Sequence, residues 1–170
     1  MEASVKLRRA VFSLLVENSS GVLSRVSGLF SRRGYNIDSL TVGETLDPSL
    51  SRMTVVATGD DSVLEQIEKQ LAKLIDVKEI TELPADESVC RELILIKVKC
   101  DVKQRSDVVA LSNIFHARIL DVAPDSVIIE LTGELDKLGA FVELLNGFEV
   151  TEIARTGLTG LSRGFADLNN

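Results

Sequence analysis

The residues best placed to do chemistry are Asn18-Ser19-Ser20-Gly21, which stand between a β-rich run, Arg9 to Glu17, and a stretch of helical spacing. The first turn of a helix carries backbone N–H groups with no partner of their own, and these can hold a carboxylate. Gly21 would let the backbone approach a ligand. Asn18 offers an amide to the ammonium or carboxylate of a small zwitterion, and Val22 and Ile37 offer apolar surface to its side chain. Helix capping alone explains the same loop equally well. The physics of the sequence leaves both readings open.

Other constellations carry less. The chain has one histidine, His116, at the expected end of a helix, with no Cys-x-x-Cys or His-x-x-x-His beside it. A metal site and a general base next to any serine are therefore not expected. Asp60-Asp61 and Asp86-Glu87 fall at a helix start and in a linker, where solvation and the helix dipole account for them. Arg32-Arg33 is read as a basic pair complementing a helix C-terminus. The glycine-rich run from Gly157 to Gly164 lacks the Lys-Ser/Thr ending of a phosphate-binding loop and is read as a turn-rich tail. Cys90 and Cys100 flank an expected strand. About ten residues at roughly 3.3 Å each separate them by some 33 Å, too far for a disulfide whose Cα atoms lie about 6 Å apart. Two distant thiols suit a reducing cytoplasm.

Charge excludes further classes. The net charge is −7, with ten cations against twelve acids in residues 1–84 and nine against fourteen in residues 85–170. Neither half is basic, so nucleic acid is not an expected partner. The strand that would carry base-stacking aromatics in an RNA-recognition fold reads Met53-Thr54-Val55-Val56-Ala57-Thr58, with none. Lys6, Arg8 and Arg9 ahead of Ala10 to Val16 imitate a signal peptide, but the apolar stretch is short and no cleavage site follows. No apolar run approaches the length of a membrane span, so no membrane association is expected.

These residues must be positioned by a framework, and its elements are legible. After the first strand, Val22, Val26, Leu29 and Phe30 recur at helical steps, with Gly34 as the stop. Asn36 to Leu46 and Ser51 to Thr58 read as two strands around the turn Asp47-Pro48-Ser49. Ser62-Val63-Leu64-Glu65 has the form of a capping box, opening a helix with Leu64, Ile67, Leu71 and Leu74 on one face. Val77 to Leu83 closes a β-α-β-β-α-β unit. Pro84 to Ser88 is a polar, acidic linker. Beyond it come the strand Arg91 to Lys99, a helical stretch Val102 to His116, strands Ala117 to Ala123 and Ser126 to Thr132, a helix stopped by Gly147, and Phe148 to Ala154. The same order has occurred twice, without residue-by-residue similarity.

The expected fold class is α+β, with two ferredoxin-like βαββαβ units in tandem at residues 1–84 and 85–170, the latter ending in the Gly-rich tail. Each unit has a four-stranded antiparallel sheet with both helices on one face, and its other face needs cover. Pairing with the second unit or another copy of the chain is the physical expectation, and a homodimer follows from it.

Leu15-Val-Glu-Asn18-Ser-Ser-Gly21-Val-Leu-Ser24-Arg25-Val, then Leu29-Phe-Ser-Arg-Arg-Gly34-Tyr-Asn36-Ile-Asp-Ser-Leu-Thr-Val42, resembles the ACT domain of acetolactate synthase small subunits. Ser51-Arg52-Met53-Thr54, Leu64 to Leu71 and Gly160-Leu-Ser-Arg-Gly164 are similar to that family too. The resemblance implies a non-catalytic subunit that binds valine at an ACT dimer interface, activates a large catalytic subunit and mediates feedback inhibition of branched-chain amino-acid synthesis. Asn18, Gly21 and Val22 would bind from one protomer, with Asn36 and Ile37 from the facing one. Ser24 matches a position whose changes are tied to lost feedback, and Gly43 stands where relatives often carry Ala. No cofactor of the chain's own is implied; thiamine diphosphate, magnesium and FAD would sit on the catalytic partner. A free-standing sensor of the same type controlling another enzyme or a transcription factor, and a small enzyme on this fold, are the rival expectations.

Overall fold

Alternation sets the first sheet. In β1 (Arg8–Glu17), Ala10, Phe12, Leu14 and Val16 all point to one side, and Met53, Val55 and Ala57 of β3 (Leu50–Gly59) join them. The same face receives Val22, Val26, Leu29 and Phe30 of α1 (Val22–Arg33) and Leu64, Ile67 and Leu71 of α2 (Asp61–Leu71). Each such side chain contributes about 1.5–3 kcal/mol by leaving water, which makes this cluster the first unit's core. A computed structural model describes residues 6–164. Residues 1–5 and 165–170 of the two expected domains lie outside the described residues.

With β2 (Ser39–Glu44) and β4 (Val77–Glu82), the first sheet has the order β2-β3-β1-β4, antiparallel throughout. The second unit repeats the plan with β5 (Ser88–Lys99), α3 (Val102–Ile114), β6 (Arg118–Val122), β7 (Ser126–Gly133), α4 (Leu135–Leu144) and β8 (Glu149–Arg155), in the order β6-β7-β5-β8. A 3-10 turn, Leu145–Gly147, follows α4. The second core gathers Ile94, Ile96, Val98, Val108, Ile129, Leu138 and Phe141. The α+β class and the doubled ferredoxin-like pattern expected from the sequence are what the chain adopts.

Several local expectations need correction. The tail is a strand, β9 (Thr159–Ser162), paired with β5. The chain forms two compact units, the described residues up to Cys90 together with those from Leu158 onward, and Arg91–Gly157. The tail therefore returns to the first unit, although the sequence reading grouped it with the second. There the Thr41 hydroxyl donates to the Leu158 carbonyl at 3.0 Å, and Arg163 Nε to the Ser88 carbonyl at 3.0 Å. Gly160 makes this return possible: a Cβ on it would lie 2.5 Å from Cys90 Sγ and 3.3 Å from the Val89 carbonyl oxygen. The start of α2 also differs. Asp60, not Ser62, is the cap, its side chain accepting from Val63 N at 2.8 Å. β2 begins at Ser39, leaving Asn36 and Ile37 in the connection ahead of it.

Candidate functional site

β1 ends at Glu17, and the chain crosses Asn18 to Gly21 before α1 begins. Gly21 is the residue preceding the first helical turn, at φ +87°, a left-handed conformation that an L side chain adopts only at a cost. Gly21 brings no side chain to cap α1, and the first turn holds no acidic residue. The first helical hydrogen bond runs from Arg25 N to the Gly21 carbonyl at 2.9 Å. The N–H groups of Val22, Leu23 and Ser24 lie ahead of that bond, in the part of a helix that has no intrahelical acceptor. The capping reading of the loop thus finds no capping side chain on Gly21, and the first-turn donors are left without an intrahelical acceptor.

The loop is fixed from outside. Asn18 N donates to the Ser49 carbonyl at 2.7 Å and Asn18 Nδ2 to the Pro48 carbonyl at 2.9 Å, which fastens it to the β2–β3 hairpin. The same Nδ2 also reaches Glu44 Oε2 at 3.4 Å, and among the described residues the Asn18 amide oxygen accepts no hydrogen bond. Val22 is only 2% exposed and its side chain belongs to the core, so on its own chain it offers a ligand no apolar surface. Ser24 is exposed in the first turn of α1. Gly43 lies on β2 opposite Arg52, with open space around the position of a Cβ, so an alanine fits there.

Asn36 and Ile37 follow the other end of α1, beyond Gly34, which closes the helix at φ +70° with Arg32 and Arg33 in the last turn. Asn36 is exposed and donates to Asp38 Oδ1 at 3.2 Å; Ile37 packs half-buried against the first core. Twelve residues at about 1.5 Å each put a helix length of roughly 18 Å between the two sets. One chain does not bring them together. A groove of about 750 Å³ opens next to Gly43, lined among others by Leu15, Leu50, Arg52 and Leu161, and none of Asn18, Gly21, Val22, Asn36 or Ile37 lines it.

Two residues at the loop gave no separate signal in the sequence. Arg25 lies one helical turn past Gly21, and its Nε and Nη2 grip Asp76 at 2.5 and 2.9 Å. Asp76 is 6% exposed, and its carbonyl accepts from Glu17 N at 2.9 Å, which ties the end of β1 to the segment before β4. Their shared hydrogen bond is the largest reason that the Asp76 carboxyl is held below the usual carboxylate range and the Arg25 guanidinium is driven further toward its charged form. His116 sits just past α3 at φ +56°. No helix among the described residues is long and apolar enough to cross a membrane.

Comparison with known proteins places this geometry in a family. Residues 12–79 match a model of the AHAS small subunit-like ACT domain, and residues 91–164 a model of the small subunit of acetolactate synthase. A probable acetolactate synthase small subunit from Methanothermobacter thermautotrophicus is 51% identical over 91% of this chain and 92% of its own length. The acetolactate synthase isozyme 3 small subunit of Salmonella typhimurium is 50% identical over 92% of this chain and 96% of its own. The crystal structure of the acetolactate synthase small subunit from Thermotoga maritima superposes with a TM-score of 0.85 at 43% identity, covering 94% of this chain and 99% of that one. With its ACT domain built around an uncapped helix start at Gly21, the chain belongs to the acetolactate synthase small-subunit family.

Proposed function

We propose that this chain is the regulatory subunit of an acetolactate synthase: it binds a branched-chain amino acid, valine, at an ACT dimer interface, activates a large catalytic subunit and carries feedback inhibition to it. The observation that supports the reading most is the start of α1, where Gly21 stands in place of a capping side chain and the first turn has no acid of its own. A free α-carboxylate is the group those N–H donors suit. The separation of Asn18, Gly21 and Val22 from Asn36 and Ile37 favours a site completed by a second copy, with the latter pair supplied across a two-fold interface.

In this reading the chain performs no turnover. Thiamine diphosphate, magnesium and FAD belong to the catalytic partner, and the complex works in the cytoplasm. Valine inhibits because it binds one arrangement of the complex more tightly than another; equal affinity for both would shift nothing. Preference for valine over leucine rests on one methylene, worth about 1–3 kcal/mol in an apolar pocket. The test is affinity purification of the full chain from its native extract. A large thiamine-dependent subunit should co-purify, its acetolactate synthesis rising with added chain and falling with valine. Turnover of pyruvate by the purified chain alone, or a partner of another kind, would overturn the proposal.

A further inference from the structure

The two units offer an internal comparison at matching helices. α1 and α3 each follow the first strand of a βαββαβ unit and each begin Val-x-x-Arg: Val22 with Arg25, and Val102 with Arg105. In the second unit a carboxylate already occupies the helix start. Asp101 Oδ1 accepts from Lys103 N and Gln104 N, both at 2.8 Å, and Asp101 N donates to Gln104 Oε1 at 3.2 Å. In the first unit Gly21 takes the place of Asp101 and brings no carboxylate.

Arg25 stands beside that empty position. Its Nε and Nη2 are held by Asp76, while Nη1 has no hydrogen-bond partner among the described residues. Nη1 lies 3.0 Å from where a Cβ on Gly21 would be. The first-turn N–H groups, which have no capping side chain from Gly21, and an unspent guanidinium edge therefore meet at one glycine. We propose that Arg25 is a specificity-determining residue of the amino-acid site, its Nη1 donating to the ligand's α-carboxylate, with Asp76 as the residue that positions it.

This inference rests on the amino-acid reading above and narrows it. The ligand class is the free α-amino acid, and amides or esters of the same side chain are discriminated against. Because Asp76 balances the charge of Arg25, the gain comes from an aimed, charge-assisted hydrogen bond, worth roughly ten- to hundredfold in affinity. By the same logic, the second unit's equivalent position is filled by its own Asp101 and takes no carboxylate ligand.

Calorimetric titration of the full chain with valine and with valine amide tests this. Wild type should bind valine at least tenfold more tightly than the amide. Arg25→Gln should weaken valine by more than tenfold and the amide by less than twofold, so that their ratio falls toward one. Asp76→Asn keeps the cation, loses its anchor and should lower the ratio part of the way. If Arg25→Gln keeps its wild-type melting temperature and still binds valine within twofold of wild type, or loses both ligands equally, the role is overturned. If Arg25→Gln does not fold, Asp76→Asn decides, and an unchanged ratio there refutes the inference. Wild type that binds neither compound would instead refute the amino-acid reading itself.

Discussion

Gly160→Ala should destabilise the first unit by about 2–3 kcal/mol, the upper part of the range for overpacking a well-filled site. The new Cβ would stand 2.5 Å from Cys90 Sγ, 3.0 Å from Leu83 Cδ1 and 3.3 Å from the Val89 carbonyl oxygen. Carbon atoms in good contact sit about 3.5–4.0 Å apart. The leucine methyl can rotate away, but the thiol is on a short side chain and the carbonyl is backbone, so β9 itself must lift. Tyr35, the single tyrosine in a chain without tryptophan, packs against the first core and gives a local fluorescence signal for urea unfolding. Cys90→Ala removes the nearest obstacle, so the double variant should recover about 1 kcal/mol relative to the sum of the two single changes. A Gly160→Ala protein whose unfolding free energy lies within about 0.5 kcal/mol of wild type would show that β9 does not pack here as described.

Gly43→Ala, where a Cβ meets nothing within 4 Å, should raise stability by about 0.4–1 kcal/mol in the same unfolding assay, because the freer unfolded chain loses entropy. Asp101→Ala removes both first-turn bonds of the α3 cap and should cost about 1–2 kcal/mol, read by hydrogen exchange of the α3 amides. The Arg25–Asp76 pair should give a pH-dependent contribution. The folded-state pKa of Asp76 is depressed, so its stabilisation is complete above the unfolded value of about 3.9 and is lost as pH falls through the lower folded value. The melting-temperature gap between wild type and Asp76→Asn should therefore be constant from pH 7 to 5 and shrink below pH 4.

The order of elements was legible because it rests on periodicity. Alternating Phe12, Leu14 and Val16 and the helical spacing of Val22, Val26 and Leu29 each survive as one buried face. β9 was not legible: four residues, Thr-Gly-Leu-Ser, show no alternation, and their partner, β5, lies some seventy positions earlier. The cap of α2 is ambiguous in the sequence because Asp60 and Ser62 both suit the role, and only the backbone shows which side chain reaches Val63 N. At the candidate site, Gly21 was readable as a glycine between a strand and a helix. Arg25 was visible only as part of a family motif, and Asp76 not at all, since a pairing across fifty-one residues leaves no local signal. The helical spacing that groups Val22 with Val26, Leu29 and Phe30 already placed its side chain on the core face, and the structure keeps it there.

In the proposed site an amino acid's carboxylate is received at the start of α1. Gly21→Asp tests it most directly, because it supplies from the chain the carboxylate that Asp101 supplies at α3, within reach of Arg25. Titration of the full chain with valine, read by heat and by inhibition of the co-purified catalytic subunit, should show saturable binding for wild type and none for Gly21→Asp, with activation of the partner retained. A Gly21→Asp chain that binds valine as tightly as wild type and stays fully inhibitable would show that the carboxylate is held elsewhere.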